Sequence, residues 1–551
     1  MGNAAFASHQ WAAKHHPDPD FEQMRVLQDA LRRLLSSEGY VPPEPVTEVS
    51  SPTARGVWYQ AFQSQPLFIW YDYFSVPQLE KRATHATDDT DGSNQAKAIH
   101  SIPAYVANCK FFFALCPTID CIDQSRVVLN AATWASRGWC RVERAARELS
   151  AQDKWILVRS SSSLAVVGTA FSFVSGSVGE GTFTVPEDCW KLAPVMKAIV
   201  RSKLLHCLQT GDLRAYRRHL NLQSVYLRGL QIEPVADLIP DGKAPAWSRD
   251  LVAGFLYQNY FSGVSSTDSA GWRPLHYAAL SGNVKVVEGL LQRRADPNRR
   301  TWQPEPKLGF QPWVSALDMA IFYKHNEVAQ LLLDSRAQLG GIYPTMQLAA
   351  ISDNAEGIRL LCDHGGKATE RNIFGITVLD AATSYGSMMA LEELLERVQP
   401  SSQELGRVLL TAMCICGGSA QLVDRLVGLR ADINFQCDLR RDWSLLACGI
   451  GAAVYPVHKS GLRRTALSTF VYHINGLSPL MAAVHTGQHE GAAALIAAGA
   501  RLDIRNSQSW TAADFARGMS VPRFLQKGLE GDPWDCFRIA SMAHGYVETY
   551  M

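Results

Sequence analysis

Hydroxyl and carboxylate side chains close the first aromatic, strand-like runs of the chain. Ser8 ends a short apolar run that begins at Phe6, and Asp72 and Ser75 close the run 66–74. Apolar runs of this length, bounded by Pro and Ser, predict buried strands. Ligands of open α/β sheets bind outside the carboxyl ends of parallel strands. We therefore expect Ser8, Asp72 and Ser75 to line a substrate cleft at one edge of a sheet.

The elements that would position these side chains alternate between strands and helices. The predicted strands are 66–74, 110–116 and 154–159, and the predicted helices are 21–35, 96–108 and 137–151. This alternation predicts βαβ units and a parallel sheet covered on both faces. The Ser- and Gly-rich stretch 160–182 is predicted to be an irregular excursion. Helices at 190–208 and 212–220 then lead to the second half of the chain.

Three short motifs in this region resemble the Toll/interleukin-1-receptor (TIR) superfamily and its relative, the fungal heterokaryon-incompatibility (HET) domain. They lie at 6–11, 70–78 and 137–143. The first resembles the opening strand that ends in Ser, and the second the HET box W-x-D-x-x-x-x-x-Q. The third resembles the plant TIR motif S-x-W-C-x-x-E, with one extra residue between Ser136 and Trp139. The resemblance covers residues 4–160 and implies a flavodoxin-like parallel sheet.

The resemblance also implies a catalytic carboxylate. In TIR domains that cleave NAD+, it is the acidic residue four positions after the Trp of the third motif, and here that residue is Glu143. NAD+ would then be the substrate, with Glu143 stabilising positive charge as the nicotinamide bond breaks and Trp139 beside the cleft. A structural interpretation stays open. Glu143 lies one turn from Arg147, an ordinary surface pair, Trp139 fits a core position, and Asp72 fits a turn.

The second half of the chain carries an internal repeat. Residues 271–298 contain G-W-R-P-L-H-Y-A-A, S-G-N, V-V-E-G-L-L and A-D-P-N in succession, and the unit returns at 476–500. Weaker copies lie at 315–337, 345–365, 375–398, 409–434 and, in part, 510–516. Met346 and Leu379 are 33 residues apart, the period of the ankyrin repeat. The unit resembles that repeat, which implies an all-α solenoid that binds a protein partner on its concave face.

These patterns predict the following organisation. Residues 1–160 form a TIR/HET-like α/β domain, 161–265 the excursion and a helical bridge, 266–434 ankyrin repeats, 435–475 an insertion, 476–520 further ankyrin repeats, and 521–551 a C-terminal cap or tail. The insertion breaks the repeat period. We therefore expect it to loop out of the stack, as insertions between repeats do.

Composition and the remaining motifs argue against several classes of function. Lys and Arg total 53 against 52 Asp and Glu, so net charge gives no case for nucleic acid. The longest apolar stretches, 164–174 and 445–457, are too short to span a bilayer. The 12 Cys include no CxxC pair, and no P-loop is present, so no metal site and no certain cofactor are predicted. No secretory signal opens the chain, and we expect a cytoplasmic protein.

Two functions stay open. The leading one is a signalling or scaffold protein whose ankyrin repeats bind a protein partner and whose TIR-like domain signals or self-associates. The alternative is an enzyme, an NAD+ nucleosidase recruited by its ankyrin repeats, with Glu143 as the catalytic carboxylate. Composition does not separate the two.

Overall fold

The N-terminal part of the chain folds around a five-stranded sheet. The computed structural model describes residues 2–13, 16–51, 54–75, 94–121, 127–236, 238, 250–341, 343–461 and 465–548. The strands are β1 (Asn3–Ser8), β2 (Leu67–Tyr71), β3 (Phe111–Leu115), β4 (Trp155–Val158) and β5 (Leu164–Val167). Their order is β2-β1-β3-β4-β5, with β1 parallel to β2 and β3, and β3 parallel to β4. The predicted α/β character of this region is confirmed. Residues 76–93, which follow β2, lie outside the described residues.

The fifth strand differs from the sequence prediction. β5 runs antiparallel to β4, pairing Trp155 with Val167 and Val158 with Leu164, so the sheet is mixed rather than wholly parallel. It also lies inside the stretch that Ser and Gly content assigns to an irregular excursion. The four apolar residues of β5 form a strand because they pair with β4, and both Val166 and Val167 are buried.

Helices cover both faces of the sheet, as predicted. Alternate residues of β1 face opposite sides, so Phe6 lies in one core while Ala5 and Ala7 lie in the other. The helices of this part are Glu22–Ser36, Pro45–Ser50, Gln60–Gln63, Asp72–Ser75, Asn94–Asn108, Ala131–Ser136 and Gly138–Glu148. Short antiparallel pairs join Tyr40–Val41 to Val57–Trp58 and Ile119–Cys121 to Val127–Leu129. Single 3-10 turns lie at Ala170–Ser172 and Val178–Glu180.

A helical bridge leads to a row of helix pairs. The bridge helices are Asp188–Gln209, Leu213–Asn221, Gln223–Tyr226 and Leu251–Gln258. The pairs are Pro274–Ser281 with Val284–Gln292, Ala316–Phe322 with Asn326–Asp334, Thr345–Ile351 with Ala355–Asp363, Val378–Ser384 with Met388–Leu395, Ser402–Cys414 with Ala420–Gly428, Pro479–Thr486 with His489–Ala497, and Ala512–Ala516 with Arg523–Leu529. Trp534–Glu548 follows the last pair. The predicted repeats are thus helical hairpins.

The first helix of many pairs begins with the same local device. Ser315 accepts from the backbone N–H of Asp318, whose carboxylate accepts in return, and Thr377 and Asp380 repeat the arrangement. Reciprocal bonds of this kind satisfy the N–H groups that a helix start leaves without partners. Pro274 opens its helix, where a missing N–H costs nothing.

Residues 435–475 leave the row of pairs. Helix Ser402–Cys414 lies directly against Pro479–Thr486, and the Thr486 hydroxyl donates to the Met413 carbonyl at 2.8 Å. The intervening segment forms its own helices, Leu439–Asp442, Leu445–Lys459 and Ala466–His473.

The first helices of the repeat pairs are buried, and the N-terminal part of the chain contacts the repeat region. Every residue is buried in Ala316–Phe322, Thr345–Ile351 and Val378–Ser384. The Phe171 ring, from the segment after β5, packs against Phe322 and Phe310 with centroids 4.8 Å and 5.8 Å away. Ser172 accepts a hydrogen bond from the Cys416 thiol at 3.8 Å. The segment after β5 thus packs against the repeats.

Further contacts join the helical bridge to the repeats. Arg218 of the bridge adds an ion pair to Glu305 at 2.7 Å, and Arg228 donates to the Tyr323 carbonyl at 2.7 Å. Within the described residues, no helix is long and apolar enough to cross a membrane.

Candidate active site at the carboxyl edge of the sheet

Ser8 and Glu143 meet where β1 ends. Ser8 is the last residue of β1 and lies beside Ala114 of β3, at the point where the strand order reverses. The Trp134 indole N–H donates to the Ser8 hydroxyl oxygen at 3.0 Å. Because that oxygen accepts from Trp134, its own hydrogen is left for the neighbouring Glu143 carboxylate, to which Ser8 hydrogen-bonds. The predicted Ser8 and Glu143 therefore share one polar cluster.

The Glu143 carboxyl group is buried. Its Oε2 has no hydrogen-bond partner among the residues that the structure describes. Burial, and then the charge of Asp72, raise the pKa of Glu143 to about 8, while the bond from Ser8 acts in the opposite direction. A carboxyl group in this position is therefore mostly protonated at neutral pH. A cation placed beside it would favour the ionised form.

Asp72 forms the open side of the cluster. It follows β2 directly, and its carboxylate Oδ1 lies 3.3 Å from Nε2 of the buried His9. The His9 ring stacks on Tyr71 with centroids 4.0 Å apart. Burial lowers the pKa of His9, and the nearby Asp72 carboxylate partly offsets that effect. About a third of the Asp72 side chain is exposed, so this carboxylate contacts solvent while His9 does not.

Two of the predicted cleft residues have other partners. The Ser75 hydroxyl accepts from the Tyr71 backbone N–H at 3.2 Å, so it closes the turn after β2. The Trp139 indole N–H donates to Asp188 at 3.1 Å, and its ring packs against the core under helix Asp188–Gln209. Ser75 thus shapes the edge of the cleft from an exposed position, and Trp139 serves the core. The Gln that closes the 70–78 motif lies outside the described residues.

The structural alternative for Glu143, a surface pair with Arg147, does not form. Arg147 is itself buried and donates to the backbone carbonyls of Cys109, Lys110 and Lys154 at 2.7 to 3.0 Å. Those carbonyls precede β3 and β4, at the amino edge of the sheet. Helix Gly138–Glu148 therefore places Arg147 at one edge and Glu143 at the other.

Sequence reasoning missed the residues that support this cluster. Gln10 donates to the Asn130 carbonyl at 2.9 Å, and the Gln23 side chain donates to the Gln10 carbonyl at 2.8 Å. Asn130 caps helix Ala131–Ser136, accepting from the N–H groups of Ala132 and Thr133. The sequence contains one local indication of these supporting residues, the polar pair His9-Gln10 directly after an apolar strand.

The side chains of this cluster suit an organic cation better than a metal ion. A buried carboxyl group, a second carboxylate and an oriented hydroxyl converge on one edge of the sheet. Aromatic rings lie beside them: Tyr73 is 6.3 Å from Trp11 and 4.9 Å from His16, measured between centroids. Among the described residues, no group of three His, Cys, Asp or Glu side chains is arranged to hold a metal ion.

The comparisons with known proteins address the repeat half. The family model for the ankyrin repeat matches residues 270–302 and 475–507. The chain therefore contains ankyrin repeats, as the sequence predicts, and such repeats are protein-interaction modules.

Relatives and structures similar to this chain share part of its length. It is 28% identical over 133 residues to human transient receptor potential cation channel subfamily A member 1, covering 23% of this chain and 11% of that protein. It is 30% identical over 135 residues to the Drosophila melanogaster transient receptor potential channel pyrexia, covering 24% and 13%. The chain thus spans about a tenth of the length of these relatives. The crystal structure of the human ASB11 ankyrin repeat domain matches at 20% identity, with 47% of this chain and 97% of that chain covered and a TM-score of 0.34.

Proposed function

We propose that this protein is a signalling scaffold whose ankyrin stack binds the chain's own α/β domain and, on surfaces away from the inner helices, a protein partner. The observation that carries the proposal is the packing of Phe171 against Phe310 and Phe322 of the repeat region. A repeat surface covered in this way has its first ligand within the same chain. Release of the α/β domain would then free it to self-associate.

Polar contacts on both sides of Phe171 support the same arrangement. Glu305, which is buried, pairs with Arg214 at 3.1 Å and with Arg218 at 2.7 Å. Arg538 of the last helix pairs with Asp120 at 2.9 Å. The contacts thus reach from the second helix pair to the end of the chain. Several of them would have to break together for the α/β domain to leave the stack.

Hydrogen exchange on the full chain tests this proposal. Phe171→Asp places a charge against the two phenylalanine rings, so we expect faster amide exchange in 316–322 and 344–351 while β3 stays protected. Phe68→Asp, at an exposed site on β2, is the matched control and should leave both regions unchanged. Light scattering should show self-association of Phe171→Asp at concentrations where the wild type is monomeric. Unchanged protection of the inner helices in Phe171→Asp would contradict the proposal.

One specific observation favours a second function, cleavage of the nicotinamide–ribose bond of NAD+. Glu143 occupies the catalytic position of the TIR motif that residues 137–143 resemble, and its carboxyl group is buried beside Ser8 and Asp72. The nicotinamide ring of NAD+ is a cation, so its binding would ionise Glu143 where the carboxylate must stabilise the developing oxocarbenium charge. Trp11 and Tyr73 supply aromatic surface for a flat ring.

Nicotinamide release by the purified full chain tests the enzyme. Glu143→Gln keeps size and hydrogen bonding, so a catalytic carboxylate predicts a fall in rate of about 10²-fold or more. Glu148→Gln, on the same helix but bonded to the Trp155 indole, is the control. No release by the wild type, even when concentrated enough to self-associate, would exclude the enzyme. Equal release by Glu143→Gln would keep the enzyme and discard this residue.

A further inference from the structure

We propose that the outward face of helix Leu445–Lys459, in the insertion, docks onto an anionic lipid bilayer. The helix carries no charged residue from 445 to 457, and its outer side chains are apolar. The exposed ones are Leu445, Leu446, Gly449, Ile450, Ala452, Ala453, Pro456 and Val457. Leu445 is 91% exposed, more than the other large apolar side chains on the described surface.

The opposite face of this helix is already held by protein. His458 hydrogen-bonds to the Ser468 hydroxyl at 3.0 Å, and Tyr455 stacks on Tyr472 with centroids 5.2 Å apart. The bound face therefore carries His458 and Tyr455, which have protein partners, whereas the outer face is apolar. An apolar helix face is normally covered by protein or by lipid, and here the outer half has no protein over it among the described residues.

The repeat hairpins contact this part of the chain near both ends of the helix. At its start, the Ser444 hydroxyl donates to the carbonyl of the exposed Ile373 at 2.8 Å. Further along, the Tyr455 hydroxyl accepts from Gln508, two residues before the exposed Trp510. An exposed apolar helix face, with an exposed Trp on a contacting repeat, has the composition of surfaces that lie in the bilayer interface.

The net positive charge of the insertion favours anionic lipids. Residues 435–475 contain five cations (Arg440, Arg441, Lys459, Arg463 and Arg464) and two anions (Asp438 and Asp442), a net +3, while the rest of the chain sums to −2. Among the described cations, Arg440 and Arg441 precede the apolar helix and Lys459 ends it; Arg441 pairs with Asp442. Basic residues at both ends of an apolar helix favour anionic headgroups. The 13 apolar residues extend about 20 Å, enough to lie in the interface and too short to cross it.

Vesicle co-sedimentation of the full chain tests this proposal. We expect binding to phosphatidylcholine vesicles that contain phosphatidylserine, weak binding to phosphatidylcholine alone, and loss of binding as salt is raised. Leu445→Glu with Ile450→Glu should lower the affinity at least tenfold, and Lys459→Gln roughly fivefold, since each cation near an anionic surface contributes about that factor. Met389→Glu, at a 64% exposed apolar site on a repeat helix, is the control.

Three results would overturn the proposal. They are no binding of the wild type to either vesicle, equal binding by the double variant, and dimers in lipid-free solution that Leu445→Glu alone abolishes. The last would assign the face to a second copy of the chain. Thermal unfolding of the double variant should match the wild type because both side chains are exposed, so a loss of binding could not be traced to misfolding.

Discussion

Asn130 of the α/β domain donates through its side-chain amide to the carboxylate of Glu490, in the repeat stack. The amide oxygen of the same Asn130 caps the helix that carries Trp134, and Trp134 orients Ser8. The second carboxylate oxygen of Glu490 accepts from the Ala420 backbone N–H at 2.8 Å. The Glu490 carboxylate therefore connects the first turns of two helices in the repeat stack to Asn130, which supports the candidate site.

We expect Glu490→Ala to destabilise the fold. Both oxygens are buried acceptors, and removing them leaves the Asn130 amide and the Ala420 N–H without that partner, at a cost of about 1–3 kcal/mol in the free energy of unfolding. Urea denaturation measures the loss. Glu490→Gln retains one acceptor and should cost less. Equal stability of Glu490→Ala and the wild type would show that water replaces the carboxylate.

The ion pairs of Glu305 should contribute more to stability than the hydrogen bonds of Glu490. Glu305→Leu leaves the Arg214 and Arg218 guanidinium groups facing an apolar side chain, and breaking a buried pair in this way costs about 3–5 kcal/mol. Adding Arg218→Met removes one of the unpaired charges. The double variant should therefore recover part of the loss in a urea titration. Additive losses would mean that the two side chains act independently.

Glu143 should make stability depend on pH. Its pKa is about 8 in the folded chain against an ordinary value of 4.5, so the folded state retains a proton that the unfolded chain releases between these two values. The free energy of unfolding therefore falls as pH rises through this window. The Glu143→Gln variant has no titrating group at this position. Its free energy of unfolding, relative to that of the wild type, should therefore rise by about 1–4 kcal/mol between pH 5 and pH 9. Urea denaturation at the two pH values, with Glu148→Gln as control, measures it. A constant difference would indicate an ionised, paired Glu143.

The insertion should be largely dispensable for stability. Replacing residues 440–470 with a short Gly/Ser linker leaves the contact between Ser402–Cys414 and Pro479–Thr486 in place. The lost polar contacts are few, and one of them joins the Leu467 N–H to Glu48 at 3.3 Å. We expect the thermal midpoint in scanning calorimetry to fall by only a few degrees. A collapse of the fold would show that Trp443 and Phe470, which pack on the repeat core, are essential to it.

Local patterns were enough to predict most of the elements. The turn, the Pro at the first helical position and the paired Leu of 271–298 identified the repeats because each repeat contacts mainly its neighbours. Apolar runs predicted β2, β3 and β4 because buried strands need them. β5 was missed since four apolar residues among Ser and Gly give a weak signal until β4 pairs with them.

The candidate site was predictable only in part. Ser8 and Asp72 follow strands, so their place at the carboxyl edge could be inferred from the alternation of elements. Trp139 was placed in the cleft by a motif, whereas its indole bonds to Asp188, a partner far along the chain. Contacts of this kind depend on how distant segments pack, and spacing carries no information about them.

The hydrogen bond between Asn130 and Glu490 can form only late in the synthesis of the chain. The two residues are 360 positions apart, so at about 5–20 residues per second a ribosome makes the second roughly 20–70 s after the first. For that interval the newly made α/β domain lacks the carboxylate that its Asn130 side chain binds in the folded chain, whereas Phe310 and Phe322, the partners of Phe171, are made earlier. A message truncated before helix His489–Ala497 would give a product that never acquires this bond, and the cap of the helix that carries Trp134 would lack its link to the repeats.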